Sequence, residues 1–106
     1  MKRYEIRWAQ LDPVQGSEMA KTKPVVIVSL DELLARSPVV TVCPLTTNIH
    51  PNWRGRLQVT VDGKPAEVAV DHIRSLSTTR LGQRLGSLSA AKAAALRRII
   101  TEMYGQ

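Results

Sequence analysis

Phenylalanine is absent from this chain of 106 residues, and its aromatic side chains are limited to Tyr4, Trp8, Trp53 and Tyr104. The core must therefore be aliphatic, built from Val, Leu, Ile and Ala. A single cysteine, Cys43, excludes an intrachain disulfide and a zinc site built on cysteines. Set in VVTVCPL, it reads as a small buried hydrophobe rather than a nucleophile. His50 and His72 are far apart in sequence, so neither a metal site nor a cofactor is expected. No apolar run approaches the roughly 20 residues of a membrane span. The opening MKRYEIRW goes straight into charged alternation rather than a secretory leader. A cytoplasmic protein without membrane contact is expected. With no repeat and no low-complexity linker, residues 1–106 read as a single domain.

What the chain has is positive charge. Fifteen Lys and Arg against nine Asp and Glu give a formal net charge of +6. A basic surplus on a small domain suits a polyanionic partner, nucleic acid before membrane, although a basic surface with no such partner stays open on composition alone. The 43% hydrophobic content is that of a folded domain rather than a disordered chain.

Tyr4, Ile6 and Trp8 alternate with Glu5 and Arg7, which predicts a strand whose first set faces the core. Val25 to Val28 is a continuous β-branched run, as in a central strand covered on both faces. Ser29-Leu30-Asp31-Glu32 has the pattern of a capping box, opening a short helix to about Arg36. Val39 to Leu45 predicts a third strand. Alternation over 56–61, the Asp62-Gly63 turn and a returning strand from Glu67 to Ile73 predict a hairpin. Leu81 to Leu88 reads as a short strand and turn. The C-terminal segment SLSAAKAAALRRIITEMYGQ predicts a helix capped by Ser89, with Gly105 just past its end. Its apolar face is expected to run through Ala91, Ala95, Ile99 and Met103, with Leu96 and Ile100 beside them. The pattern is of the α+β class: five to six short, mostly antiparallel strands in a small twisted or barrel-like sheet, with a short helix after strand 2 and a longer C-terminal helix.

The segment LDPVQGSEMAKTKPVVIVS places Ser17, Glu18, Lys21 and Lys23 in one loop beside a buried strand. Alone, it reads as a solvated turn. Together with VCPLTTN, VDHIRSL and RLGQRLGSLS, however, it resembles the MazF/PemK family of toxin endoribonucleases from bacterial toxin–antitoxin pairs. The family pattern D-P-x-x-G-S-E-Q-x-x-x-R-P-V-V-V-V-S is met by the first segment, V-x-P-L-T-S/T by the second and V-D-Q-I-R-T/S-L by the third. The match runs from Tyr4 to Tyr104, in order. The resemblance implies an SH3-like barrel, a homodimer, and a cognate antitoxin that blocks the RNA groove. It also implies metal-independent, sequence-specific cleavage of single-stranded RNA by 2′-OH attack, leaving 2′,3′-cyclic phosphate and 5′-OH ends.

Such chemistry needs a base for the 2′-OH, charge stabilisation at the phosphorus and an acid for the leaving oxygen. Carried over from the family, Lys23, Thr46, Glu18 and Ser17 are the candidate catalytic residues. Glu18 is a candidate base, Thr46 a donor to a non-bridging oxygen, and Ser17 a further donor. Lys23 stands where the family usually has arginine. It keeps the charge and loses the planar fork, and it releases a proton more readily if burial or Lys21 favours its neutral form. His72 replaces a common glutamine and is either a spare proton-transfer group or a structural or surface histidine.

RNA contact falls to Lys21, Asn48, Trp53, Arg54, Arg56, Asp71, His72 and Arg74. In NIHPNWRGR an aromatic flanked by arginines suits base stacking with backbone contact, while a plug of the barrel end or dimer interface is the plain alternative for Trp53. Asp71 is expected to organise rather than act as base, and Arg74 is open to a surface ion pair. Two other functions stay in view: a weakened RNA-binding homologue, and a gyrase poison like the CcdB toxins. The ending EMYGQ lacks the helical tip that the gyrase reading needs.

Overall fold

The computed structural model describes residues 1–11 and 22–105. Within these residues the order is β1 (Glu5–Gln10), β2 (Thr22–Ile27), α1 (Asp31–Leu34), β3 (Val39–Thr46), β4 (Arg56–Val61), β5 (Lys64–Ala69), β6 (Arg74–Ser77), β7 (Leu81–Ser87) and α2 (Ala90–Tyr104). Short 3₁₀ turns lie at Val70–His72 and Thr78–Arg80. The strands form one curled antiparallel sheet in the order β4-β5-β3-β2-β1-β7, with β6 also paired to β3. The α+β class and the small barrel-like sheet are those expected.

The curl centres on β3. Its first half pairs with β6, from Val39 opposite Ser77 to Val42 opposite Arg74. Beyond Pro44 its end pairs with β5 instead, Leu45 opposite Val68 and Thr46 opposite Glu67. Proline has no N–H to give a ladder, so Pro44 sits where one partner strand gives way to the other. On its other edge β3 pairs with β2 across this switch, from Val42 opposite Ile27 to Pro44 opposite Val25.

Alternate residues of β2 enter different cores. Val26 and Val28 join Cys43, Leu45, Val68 and Leu96, whereas Val25 and Ile27 join Val40, Val42 and Leu76. The central strand is thus covered on both faces, as its unbroken β-branched run predicts. The hairpin turn also forms as predicted, with Asp62 at φ 52° and Gly63 at φ 76°.

Several details differ from expectation. Ser29 does not cap α1. Its Oγ accepts the Thr41 N–H at 2.8 Å, tying the connection to β3, and Leu30 takes the cap position without a side-chain bond. The strand expected over 67–73 instead spans Lys64–Ala69, and Val70–His72 turns away, which frees Arg74–Ser77 to form β6. In β1 Glu5 is buried while Trp8 is 38% exposed. The reason is β7, which lies along β1 and brings Arg84 Nε to 3.2 Å from Glu5 while Arg7 Nε lies at 3.1 Å. Burial pushes the Glu5 carboxyl up, but the Lys2 amide and Arg7 outweigh it and hold the group below its usual range.

Helix α2 is capped as expected, Ser89 Oγ accepting the Lys92 N–H at 3.2 Å. Its buried stripe is shifted, however. Ala93 and Leu96 are buried, with Ala95, Ile99 and Ile100 partly so, while Ala91 and Met103 are exposed. Gly105 is extended at φ −101° rather than left-handed, its N–H bonding Thr101 O.

Candidate active site

Continuing the β2–β3 register outward by two residues from Val25 and Pro44 sets Lys23 across from Thr46. Both line a cleft of about 210 Å³, together with Asn48, His50, Arg56 and His72. Two strand ends, the 47–55 loop and the 70–72 turn therefore converge on one small space. Lys23 is exposed, so burial, one of the two conditions considered for easing its proton, is not met. Thr46 is half-buried, and its Oγ1 accepts the Asn48 N–H at 3.1 Å. With that lone pair engaged, the hydroxyl hydrogen is free to donate to a phosphate oxygen.

The walls of the cleft are set by a charge network that the sequence did not announce. Glu67 is fully buried, and its carboxylate accepts from Gln58 Nε2 at 2.6 Å, the His50 N–H at 2.7 Å and Arg56 Nη1 at 2.7 Å. Arg56 also donates from Nε to Asp71 Oδ1 at 2.8 Å, and its side chain is only 7% exposed. An arginine held by two carboxylates organises a site rather than reaching out to a phosphate. Burial pushes the Glu67 carboxyl up, but the bonds from Gln58, His50 and Arg56 prevail and hold it below the usual carboxylate range. Asp71 follows the same balance, with Arg56 as its chief stabilising partner. Signals for this network are weak, because Glu67 sits in KPAEVAV with nothing to mark it as buried.

His50 and Trp53 stack with ring centroids 3.7 Å apart and planes 7° apart. Arg56 Cζ lies 4.9 Å from the centre of the Trp53 ring. Trp53 remains 53% exposed, so within this chain it is not a plug. His72 lies 3.5 Å from Asp71 through Nε2. The two histidines, distant in sequence, share the cleft.

The remaining candidates lie elsewhere. Arg54 is exposed and 4.0 Å from Glu102 of α2, and Arg74 is exposed on β6 without lining the cleft. Ser17, Glu18 and Lys21 lie outside the described residues. Cys43 is buried, and burial together with the charge of Asp71 pushes its thiol up to about 12, the opposite of an activated nucleophile. Among the described residues no three His, Cys, Asp or Glu side chains are gathered as a metal site requires. No helix among them is long and apolar enough to cross a membrane. A second, apolar groove of about 280 Å³ shares Leu45 and Thr46 with the cleft and is walled by Trp8, Pro24 and Pro65.

Comparison with known proteins identifies the family of the chain. A family model described as PemK-like, MazF-like toxin of type II toxin-antitoxin system matches residues 2–104. The chain belongs to this family. Endoribonuclease MazF9 of Mycobacterium tuberculosis is 37% identical over 106 residues, covering 91% of this chain and 89% of that protein. Endoribonuclease MazF of Staphylococcus saprophyticus is 32% identical over 100 residues, covering 87% and 81%. Among solved structures, Mycobacterium tuberculosis toxin MazF-mt6 superposes with a TM-score of 0.80 at 26% identity, over 94% of this chain and 95% of that one.

Proposed function

We propose that this chain is the toxin of a type II toxin–antitoxin pair and cleaves single-stranded RNA without a metal ion. The observation that carries the reading is the shared cleft of Lys23 and Thr46. Its size suits one phosphodiester with its ribose. The Lys23 ammonium offsets charge that grows on the non-bridging oxygens as the 2′-oxygen attacks. The Thr46 hydroxyl donates to one of those oxygens, held in place by the Asn48 amide. Departure of the 5′-oxygen leaves a 2′,3′-cyclic phosphate and a 5′-OH. The half-exposed Trp53 and the apolar groove beside Thr46, with Trp8 at its wall, offer surfaces for splayed bases on either side of the scissile bond. The protein works as a homodimer in the cytoplasm, and a cognate antitoxin silences it by covering the groove.

The test is incubation of purified protein with a long single-stranded RNA in EDTA, followed by mapping of the cut ends. Cuts with 5′-OH ends are expected. Lys23→Ala and Thr46→Ala each lower the rate about 10²- to 10³-fold, as loss of one preorganised donor does. A requirement for added metal, or wild-type rates in Lys23→Ala, overturns the reading.

A further inference from the structure

The charge network around the cleft does not stop at Arg56. It runs from the buried Glu67 through Arg56 to Asp71 and from there to His72, whose Nε2 lies 3.5 Å from Asp71 Oδ2. Each link but the last is a short charge-assisted bond, so the Asp71 carboxylate is fixed from behind by a guanidinium that is itself fixed. The last link leads to an imidazole with 65% of its side chain exposed, opening into the space that Lys23 and Thr46 line. A histidine buried to support the fold would be covered. This one has a carboxylate at one nitrogen and an RNA-sized cleft before it.

We propose that His72 is the general base of the cleavage reaction, oriented by Asp71. The inference rests on the ribonuclease reading above. With Nε2–H turned to Asp71, the neutral ring presents Nδ1 as a bare lone pair. The proton of the ribose 2′-OH passes to Nδ1 as the 2′-oxygen bonds to phosphorus. The bond from phosphorus to the 5′-oxygen breaks, and that oxygen takes a proton from the Lys23 ammonium. Solvent then returns a proton to Lys23 and removes one from His72, so the cycle closes without an added reactant. Asp71 stabilises the imidazolium that forms, as carboxylates do behind catalytic histidines. A 3.5 Å separation is of the kind that shortens when substrate binds. Among the described residues, the charged groups facing His72 are Asp71 on its own turn, Lys23 on β2, Arg56 on β4 and, behind Arg56, Glu67 on β5. His50 is the other histidine in the cleft, but it is stacked on Trp53.

The experiment is the pH dependence of kcat/KM, from pH 5 to 9, on a labelled single-stranded RNA that the full chain cuts. The wild-type rate is expected to rise through the range where imidazoles titrate. His72→Gln lowers the plateau by about 10²-fold or more and abolishes the rise. His72→Ala, soaked in free imidazole, regains activity in proportion to the imidazole added, which no merely structural role would produce. A rise that persists in His72→Gln overturns the proposal, as does one that disappears in His50→Gln or Glu18→Gln instead. Failure of imidazole to rescue His72→Ala also overturns it. Where the wild type cleaves and Lys23→Ala does not, an unaffected His72→Gln removes this inference alone. Absence of cleavage by the wild type removes the ribonuclease reading with it.

Discussion

Glu67 is the residue on which the shape of the cleft depends. Its two carboxylate oxygens hold a side-chain amide and a guanidinium from β4 and a backbone amide from the 47–55 loop, and no water reaches it. Replacing it by Gln strands part of the Arg56 charge, and loss of one member of a buried pair costs about 3 kcal/mol. Urea unfolding of Glu67→Gln is expected to show a loss near that size. Both Glu67 and Asp71 have their pKa lowered on folding from usual values of 4.5 and 3.8. Depressed carboxyl groups add stability that is complete above their unfolded pKa and lost as pH falls through the folded one. The melting temperature of the wild type should therefore be flat near neutrality and drop on acidification below about pH 4.5, and Glu67→Gln should drop less steeply. None of this was legible in the sequence. A glutamate between Ala66 and Val68 in an alternating strand reads as facing water, and only closure of the 47–55 loop over it reverses that. Lys23 and Thr46, by contrast, were legible because each sits in a motif of its own.

At the scale of elements, the turn that feeds β4 is held by Gly55. It adopts φ +78°, and a Cβ there would meet Met103 Sδ at 2.7 Å and Asp71 Cβ at 3.4 Å. Its carbonyl accepts the Val70 N–H at 2.8 Å, joining the two segments that carry Arg56 and Asp71. A left-handed conformation costs a residue with a Cβ about 1–3 kcal/mol. Gly55→Ala is expected to lose that much in thermal or urea unfolding, and a neutral result would show that the turn relaxes freely. Elements with strong local signals formed where the sequence placed them: the β-branched β2, the Asp62-Gly63 hairpin and the Ser89-capped α2. Those that depend on a distant partner did not. The four residues of β6 are defined by pairing with the first half of β3, and Ser29 bonds Thr41 across the sheet instead of capping its own helix. Local propensity is silent about both.

For the whole molecule, the switch of β3 from β6 to β5 at Pro44 curls the sheet and gathers the cleft. His50 and His72, far apart in sequence, line the same space because β4 and β5 fold back on themselves as a hairpin. The outline of the barrel could be read from four ordered motifs, whereas the meeting of its loops could not, since that is a property of the closed sheet. The account makes one chemical demand of this assembly: the nucleophile belongs to the RNA. It is tested most directly with an oligonucleotide the protein cuts, remade with a single 2′-deoxy sugar on the 5′ side of the scissile phosphate. The account predicts that cleavage at that bond stops while binding persists. A cut at the deoxy site at the rate of the all-ribose substrate would contradict it.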